Sequence, residues 1–399
     1  MRIAQVAPLF ESVPPRLYGG TERVVSYLTE ELVRQGYDVT LFASGDSITS
    51  AKLIPGSRTA LRLNQHVCDP LAHYMILLDQ VREHAESFDI LHFHTDYWHF
   101  PLFRSIAGRT ITTLHGRQDL PDLRPIYRRF GEMPIVSISN AQRKPEPNAN
   151  FVATVHHGLP TDLHQATLHP RGGYVAFLGR ICPEKRPDRA IEIAQTFGIP
   201  LKIAAKVDKA DEAYFREKIA PLLELPGIEY IGEINEKAKT DFLGQALALL
   251  FPIDWPEPFG LAMIEAMACG TPVLAFRCGS VPEIVDEGVT GCIVSTVAEA
   301  VNALPRTMSL ERLAIRQRFE ERFSAARMAK DYLGLYRLLL RQHIDGRGTD
   351  QQINVPPVLI EDSPKTAQYR VEGDELHAPR GSEAVAIPNG SAPRYPVSN

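Results

Sequence analysis

The sequence lacks the features that mark secreted, membrane-spanning and nucleic-acid-binding proteins. Its 399 residues include only five cysteines, scattered and without a Cys-x-x-Cys pair, which argues against a disulfide framework and favours a reducing cytosol. No apolar run reaches the roughly 18 residues of a transmembrane helix, and residues 1–7 lack the apolar region of a signal peptide. The net charge of −5 argues against nucleic acid held by a general basic field. We therefore expect a cytoplasmic protein with no nucleic-acid partner.

Signatures of cofactors and metals are also scarce. Gly19-Gly20 follows the first predicted strand, but the glycine spacing is not Gly-x-Gly-x-x-Gly, which disfavours a nicotinamide cofactor. There is no convincing Asp-x-Asp pair. His92, His94 and His99 are spaced like metal ligands, yet nothing nearby in the sequence would complete and orient such a site. We expect neither a metal nor a bound cofactor.

What the sequence does contain is a repeated alternation of short apolar runs with amphipathic segments. One series runs to a predicted strand at residues 151–155, and a second begins at residues 174–178. This alternation predicts an α/β fold with two doubly wound, Rossmann-like domains, which agrees with roughly 100 to 200 residues per domain. The polar run at residues 156–173 is the predicted linker, beside which a cleft should lie.

The last part of the chain has a different character. Residues 310–341 form an amphipathic stretch that predicts a helix, with an apolar side made of Tyr332, Leu335, Tyr336, Leu338 and Leu339. Residues 345–399 are rich in Pro, Gly, Ser and charge, which predicts a low-complexity, mostly disordered tail. A tail that wraps a domain or caps a dimer is the alternative.

Residues 254–275 carry the most informative motif. Glu257 precedes a helix predicted at residues 261–268, and Glu265 lies on it about two turns later. The free N–H groups at the helix start suit a diphosphate, and the two carboxylates suit hydroxyl groups, so the motif favours a nucleotide-sugar. The alternative is an acid favoured by the helix macrodipole, followed by an ordinary exposed glutamate.

Three further motifs follow predicted strands, where doubly wound sheets place their ligand loops. Gly19-Gly20 would let a phosphate approach the backbone, although a tight turn capped by Thr21 is the alternative. His115 ends a strand and could contact a sugar, although a strand-end histidine is more often structural. Arg180 and Lys185 suit phosphate oxygens, although a solvated basic turn has the same composition.

Together these motifs resemble the retaining glycosyltransferases of family 4, which have the GT-B fold, two Rossmann-like domains facing a cleft. The resemblance extends from about residue 2 to residue 341, and its most specific element is Glu-Pro-Phe-Gly-Leu followed by Glu-Ala-Met-Ala-Cys-Gly-Thr-Pro-Val. It implies an acceptor domain at residues 1–160, a donor domain at 161–315 and a crossover helix region at 316–344 that packs on the first domain.

The resemblance also implies residue roles. Arg180 and Lys185 would bind the donor diphosphate, with Gly19 and Gly20 closing over it from the other domain. Glu257 would contact the sugar hydroxyls and Glu265 the ribose. His115 would lie near the anomeric centre. The remaining donor contacts would be backbone N–H groups of the helix start, from Phe259, Gly260 and Leu261.

The function implied is transfer of a hexose from a nucleotide-diphosphate sugar, such as UDP-glucose, to a hydroxyl acceptor with retention and without a divalent metal. Three alternatives stay open: a nucleotide-sugar sensor or scaffold without turnover, an epimerase and a phosphorylase. Glu22, Asp96 and Tyr97 are the candidate acceptor pocket, and the acceptor is a sugar, lipid or small molecule that the sequence leaves unnamed.

A run of basic residues in the first domain allows one further partner. Its members are Arg117, Arg124, Arg128, Arg129, Arg143 and Lys144. Such a run could contact an anionic membrane surface from the cytoplasmic side, and a solvated face is the alternative.

Overall fold

A computed structural model describes residues 1–17, 19–62 and 64–344 of the chain. The predicted tail, residues 345–399, lies outside the described residues. Within the described part, the strands form two parallel sheets, of seven and six strands. The two doubly wound sheets predicted from the sequence are therefore confirmed.

The first sheet has the order β3-β2-β1-β4-β5-β6-β7. Its strands are β1 (Arg2–Val6), β2 (Asp38–Ser44), β3 (Lys52–Ser57), β4 (Ile90–Phe93), β5 (Thr110–Thr113), β6 (Ile135–Ser137) and β7 (Phe151–Thr154). The second sheet has the order β10-β9-β8-β11-β12-β13. Its strands are β8 (Val175–Arg180), β9 (Leu201–Lys206), β10 (Ile228–Gly232), β11 (Leu249–Phe251), β12 (Val273–Phe276) and β13 (Gly291–Val294).

Helices connect the strands and cover the sheets. Those around the first sheet are α1 (Gly20–Arg34), α2 (Pro70–His84), α3 (Phe100–Phe103), α4 (Leu123–Arg129) and α5 (Asn140–Arg143). The others are α6 (Pro187–Phe197), α7 (Glu212–Tyr214), α8 (Ala220–Leu223), α9 (Glu236–Gly244), α10 (Leu261–Ala268), α11 (Val281–Ile284), α12 (Val297–Met308), α13 (Arg312–Phe323) and α14 (Ala325–Ile344). The central strands are buried on both faces, which explains why they appear in the sequence as short, nearly continuous apolar runs.

The order of the strands determines where ligand loops gather. In each sheet the first strand in sequence, β1 or β8, lies in the interior, with chain crossovers running to both of its sides. Crevices form at such switch points, outside the carboxyl ends of the strands. The loops after β1, β4 and β5 carry Gly19, Asp96 and His115, and those after β8 and β11 carry Lys185 and Glu257.

The stretch predicted as one long helix is divided into α13 and α14 by Ser324. The break has a specific cause: Leu159 in the linker donates its N–H to Phe323 O at 2.8 Å and accepts from Ala325 N at 2.7 Å. Ser324 is therefore extended and forms a parallel bridge with Leu159. Helix α13 packs on α10, whereas α14 packs on α1 of the first sheet.

Helix α14 contributes its predicted apolar side to the core. Tyr332, Leu335, Tyr336 and Leu339 are buried together with Val24 and Leu28 of α1. Leu338, on the same predicted side, is only partly buried. The domain boundaries predicted from the sequence stay predictions.

Six elements were not predicted: the short helices α3, α4 and α5, strands β3 and β13, and helix α12. The two strands and α12 have weak local signals. Strand β3 contains Pro55 and Gly56 and lies at a sheet edge, where a missing backbone donor is tolerated. Strand β13 is a short edge strand. Helix α12 carries Pro305 in its interior, which normally argues against a helix.

Among the described residues, no helix has the length and apolar composition needed to span a bilayer.

The close backbone contact between the two segments that connect the sheets, at Leu159 and Ser324, leads to a stability prediction. A Cβ placed on Gly158 would clash with the backbone carbonyl of Ser324, so Gly158→Ala should lower the free energy of unfolding by about 1 to 3 kcal/mol. Gly334→Ala is the matched control, because Gly334 lies in α14 with nothing near the new methyl group. It should stabilise the protein by about 0.5 to 1 kcal/mol. Urea denaturation measures the free energy of unfolding of both variants. Equal effects would contradict the prediction that the contact with Ser324 leaves no room for a side chain at residue 158.

Candidate active site

The starts of helices α1 and α10, which belong to different sheets, meet at the cleft. A Cβ placed on Gly20 would lie 3.6 Å from Leu261 Cδ1, so the Gly19-Gly20 loop and the Glu257 motif are neighbours. Gly260, which precedes α10, has φ of 85°, a left-handed conformation that favours glycine. Phe251 and Met263 leave no room for a side chain there. The N–H groups at two helix starts therefore approach one region.

The carboxylate of Glu257 is buried and held from two sides. Its Oε2 accepts hydrogen bonds from Lys185 Nζ and from Trp255 Nε1, the latter at 2.8 Å. Lys185 Nζ also lies over the Trp255 ring, 5.3 Å from its centroid. The loop after β12 packs on this backbone, since Ser280 N donates to Glu257 O at 3.0 Å. Lys185 and Glu257 thus form one unit at the cleft.

A second ion-pair cluster surrounds Asp208. Arg180 Nη1 lies 3.5 Å from its carboxylate, Lys206 Nζ 2.5 Å and Arg62 Nη2 3.2 Å. Arg62 lies in the part of the chain that forms the first sheet, and its Nη1 also pairs with Glu11 Oε1 at 2.9 Å. Three cations therefore converge on one anionic group, with contributions from both sides of the cleft.

Glu265 has a different environment from Glu257. Its buried Oε1 lies 2.7 Å from Lys239 Nζ of α9. Lys239 also pairs with Glu236 at 3.4 Å, and Glu236 in turn pairs with Arg23 of α1 across the cleft. Each of the two glutamates predicted to bind one ligand therefore has its own cation, and their ligand roles stay predictions.

His164, Glu236 and Glu265 form the one cluster of possible metal ligands found in the described part of the chain, with ligand atoms within 4.8 Å of one another. Cations already occupy this cluster, because Lys239 and Arg23 pair with the two carboxylates. Burial raises the pKa of Glu236, but a hydrogen bond from His164 and the neighbouring positive charges outweigh it and lower the pKa to about 2. The contacts indicate an ion-pair cluster.

His115 lies between the two halves of the site. Its ring stacks on His157 of the linker, with centroids 5.2 Å apart and planes at 17°, and His157 contacts the Phe259 ring at 4.7 Å. His115 Nε2 hydrogen-bonds His94 Nδ1 at 2.9 Å. Burial lowers the pKa of His115 to about 3, so the imidazole is neutral at physiological pH. The structure therefore brings His115 close to the Glu257 motif.

The histidines with metal-like spacing have other partners. Both ring nitrogens of His92 are hydrogen-bonded, to Tyr336 and Thr113, each at 2.7 Å. Both nitrogens of His94 are bonded as well, to His115 and Gln5. His99 stacks on Phe93 at 3.7 Å. These bonds disfavour metal binding by the three histidines.

The candidate acceptor residues lie on the first sheet's side of the cleft. Burial raises the pKa of Glu22, 6% exposed in the first turn of α1, to about 7. Asp96 has φ of 49°, a left-handed conformation that Asp adopts more readily than most residues. Desolvation by the surrounding protein atoms raises the pKa of its carboxyl group to about 6. Tyr97 beside it is half-buried.

Part of the predicted basic face is neutralised within the chain. Arg117 pairs with Asp119 at 2.6 Å, and Arg124 pairs with Glu146 at 3.2 Å. Arg143 packs over the Phe151 ring, 5.1 Å from its centroid. These contacts agree with a solvated face, and contact with a membrane stays a prediction.

Three residues of the site were missed in the sequence. Trp255 and His157 lie beside recognised motifs, so proximity alone could have suggested them. Arg62 had no such signal, because its partner Asp208 is 146 positions away in the sequence.

Two family models match the chain. The model described as Glycosyltransferase Family 4 matches residues 18–143, and the model described as Glycosyl transferases group 1 matches residues 161–323. The alpha-maltose-1-phosphate synthase of Mycolicibacterium smegmatis is 25% identical over 396 residues, covering 84% of this chain and 99% of that protein. The D-inositol 3-phosphate glycosyltransferase of Mycobacterium marinum is 34% identical over 158 residues, 36% of this chain and 34% of that protein.

Solved structures of similar fold include AviGT4, a glycosyltransferase involved in avilamycin A biosynthesis. It has a TM-score of 0.65 and 21% identity, and the match covers 86% of this chain and 98% of that chain. HepE of Anabaena, solved in complex with UDP and glucose, has a TM-score of 0.64 and 16% identity, over 85% of this chain and 100% of that chain. At these identities the likeness establishes the fold.

The environment of Glu22 leads to a pH-dependent prediction. Folding favours its protonated form, so its contribution to stability is greatest below the ordinary pKa of 4.5 and is lost as the pH rises to about 7. Glu22→Gln, which resembles the neutral acid, should change stability little at pH 4 and raise it by about 2 to 3 kcal/mol at pH 8. Thermal melts of both proteins at the two pH values test this. An equal difference at both would show that Glu22 titrates normally.

Proposed function

Because this chain belongs to glycosyltransferase family 4 and has the GT-B fold, we propose that it transfers a hexose from a nucleotide-diphosphate sugar to a hydroxyl acceptor, with retention of configuration and without a divalent metal. The observation that supports this best is that the starts of α1 and α10 lie next to each other, beside the Lys185–Glu257 pair and the ion-pair cluster around Asp208. Helix starts and cations both stabilise a diphosphate, which is the leaving group of such a reaction.

The diphosphate would bind where Arg180 and Lys185 face the cleft. Each of these cations lies against a carboxylate, Asp208 and Glu257 respectively. A site that already stabilises carboxylate charge with Arg62 and Lys206 nearby would also stabilise phosphate oxygens. Phosphate would then share these cations with Asp208 or replace it.

The sugar would contact Glu257. Both hydrogen bonds to its carboxylate go to Oε2, and among the described residues no donor is bonded to Oε1. That oxygen is therefore available to accept a hydrogen bond from a sugar hydroxyl. Lys185 and Trp255 hold the carboxylate in place while the sugar is bound.

His115 would position the donor sugar and act on it electrostatically, and would not act as a general base. Its ring is neutral at physiological pH and lies close to the Glu257 motif through His157 and Phe259. In the proposed reaction the bond from the anomeric carbon to the leaving phosphate oxygen breaks as the acceptor oxygen bonds the same face. The leaving phosphate oxygen takes the acceptor proton, so no side chain needs to remove it.

The acceptor would bind on the first sheet's side, beside Glu22, Asp96 and Tyr97. A carboxyl group can accept a hydrogen bond from an acceptor hydroxyl, and in its protonated form it can also donate one. HepE was solved with UDP and glucose and with UDP-glucose, which supports a nucleotide-sugar donor here. The names of the curated relatives point to sugar-like acceptors.

A variant series tests the donor site. Glu257→Gln and Arg180→Ala should each lower kcat/KM about 10²-fold or more, because each removes a charge that the site needs in the transition state. Glu321→Gln is the matched control, since its pair with Arg318 is exposed, and it should retain full activity. Transfer from radiolabelled UDP-, GDP- and ADP-glucose to a sugar panel is the assay, with NMR of the product for its configuration. Unchanged transfer in both site variants would refute the assignment.

Ligand binding is measured separately by thermal shift with the same donors. A donor present at 100 times its Kd should stabilise the native state by about 2.7 kcal/mol. Stabilisation without transfer or hydrolysis would replace the proposal with a nucleotide-sugar sensor. Loss of activity in EDTA, restored by a divalent ion, would refute metal independence.

A further inference from the structure

A chain of buried polar side chains runs from His115 to helix α14. His115 contacts His94, His94 contacts Gln5 of β1, and Gln5 contacts the hydroxyl of Tyr336. Gln5 and Tyr336 are fully buried, and His94 is 3% exposed. Groups buried this deeply are normally hydrogen-bonded, because a lost bond is not replaced by water.

The direction of each bond follows from the Gln5 amide. Gln5 Nε2 donates to Tyr336 Oη at 3.2 Å, which turns Oε1 toward His94 Nε2 at 2.8 Å. An amide oxygen only accepts, so His94 Nε2 must carry the hydrogen. Neutral His94 then has an unprotonated Nδ1, which accepts from His115 Nε2 at 2.9 Å. It follows that His115 carries its hydrogen on Nε2 and that its Nδ1 is an acceptor.

The Tyr336 hydroxyl continues this network beyond Gln5. Because it accepts from Gln5 Nε2, its own hydrogen is available to His92 Nδ1, which lies 2.7 Å away. His92 Nε2 then donates to Thr113 Oγ1 at 2.7 Å, and the Thr113 hydroxyl meets Tyr332 at 2.8 Å. These directions follow from the Gln5 amide orientation, because each hydroxyl and each neutral histidine in the chain has one hydrogen to donate.

We propose that Tyr336 is a positioning residue that acts through Gln5 and His94 to hold His115 as the Nε2–H tautomer, with Nδ1 directed to the ligand as a hydrogen-bond acceptor. The inference rests on the proposed function in one respect, that His115 contacts the substrate. A substrate hydroxyl can donate to Nδ1 in this state, whereas the other tautomer would present an N–H that repels the same donor. The helix that returns to the first sheet thereby influences the chemistry of the cleft.

Tyr336→Phe and Tyr174→Phe form a matched pair that tests the proposal. Each variant loses one buried, hydrogen-bonded hydroxyl oxygen, but the Tyr174 hydroxyl bonds Phe242 O rather than Gln5. Tyr336→Phe should lower kcat about tenfold, the effect of one buried hydrogen bond, with KM changed less than about twofold. Tyr174→Phe should keep kcat within about twofold of the wild type.

A spectroscopic measurement reads the tautomer directly and does not depend on activity. ¹⁵N NMR of histidine-labelled protein, with His115 assigned from a His115→Gln variant, should show hydrogen on Nε2 in the wild type and a mixture of tautomers in Tyr336→Phe. Hydrogen on Nδ1 in the wild type would overturn the proposal. Equal losses of kcat and melting temperature in both variants, with an unchanged His115 signal, would also overturn it and leave Tyr336 a structural residue.

The same experiments distinguish failure of this inference from failure of the proposed function. If His115→Gln keeps full transfer activity, the role of His115 in the reaction is wrong, and the NMR spectrum still decides its tautomer. If His115→Gln loses activity and the wild-type tautomer is Nδ1–H, the proposed function stands and only the present inference fails.

Discussion

Two backbone hydrogen bonds of Leu159, to the residues on either side of Ser324, are the constraint on which much of the structure depends. They tie together the two passages of chain between the sheets and end α13, so that α14 returns to pack on α1. The same linker places His157 between His115 and Phe259. Gly158 allows this approach, because its missing side chain makes room for the carbonyl of Ser324.

Polar contacts hold the two sides of the cleft together. Arg23 pairs with Glu236, Arg62 pairs with Asp208, and Glu283 accepts hydrogen bonds from the backbone N–H groups of Asn140 and Ala141, both at 2.7 Å. In partly buried ion pairs of this kind, the electrostatic attraction is largely offset by the cost of removing both charges from water, so their net contribution to stability is small. In the proposed function, an anionic ligand would compete with the carboxylates of these pairs for the same cations.

Helix α14 combines apolar packing with a buried polar network. Leu335 and Leu339 join the shared core, while the hydroxyls of Tyr332 and Tyr336 reach the strand residues Thr113, His92 and Gln5. Buried hydroxyls are tolerated because each has a partner. A side of the helix that looks only hydrophobic in the sequence therefore also bonds to buried polar strand residues, and through Gln5 and His94 the network extends to His115.

The sequence by itself determined the two-domain α/β architecture, since strands such as β1 and helices such as α1 and α10 depend on local periodicity and on glycines at their starts. It also predicted site residues in the loops that follow strands, where this class of sheet places its ligands. Only the tertiary structure decided the partners: Lys185 with Glu257, Lys239 with Glu265, and Asp208 with Arg62. It alone decided where the long helical stretch breaks, and that Tyr336 reaches Gln5. The physical reason is that these contacts join residues far apart in sequence, and their geometry exists only once the two sheets and α14 have packed.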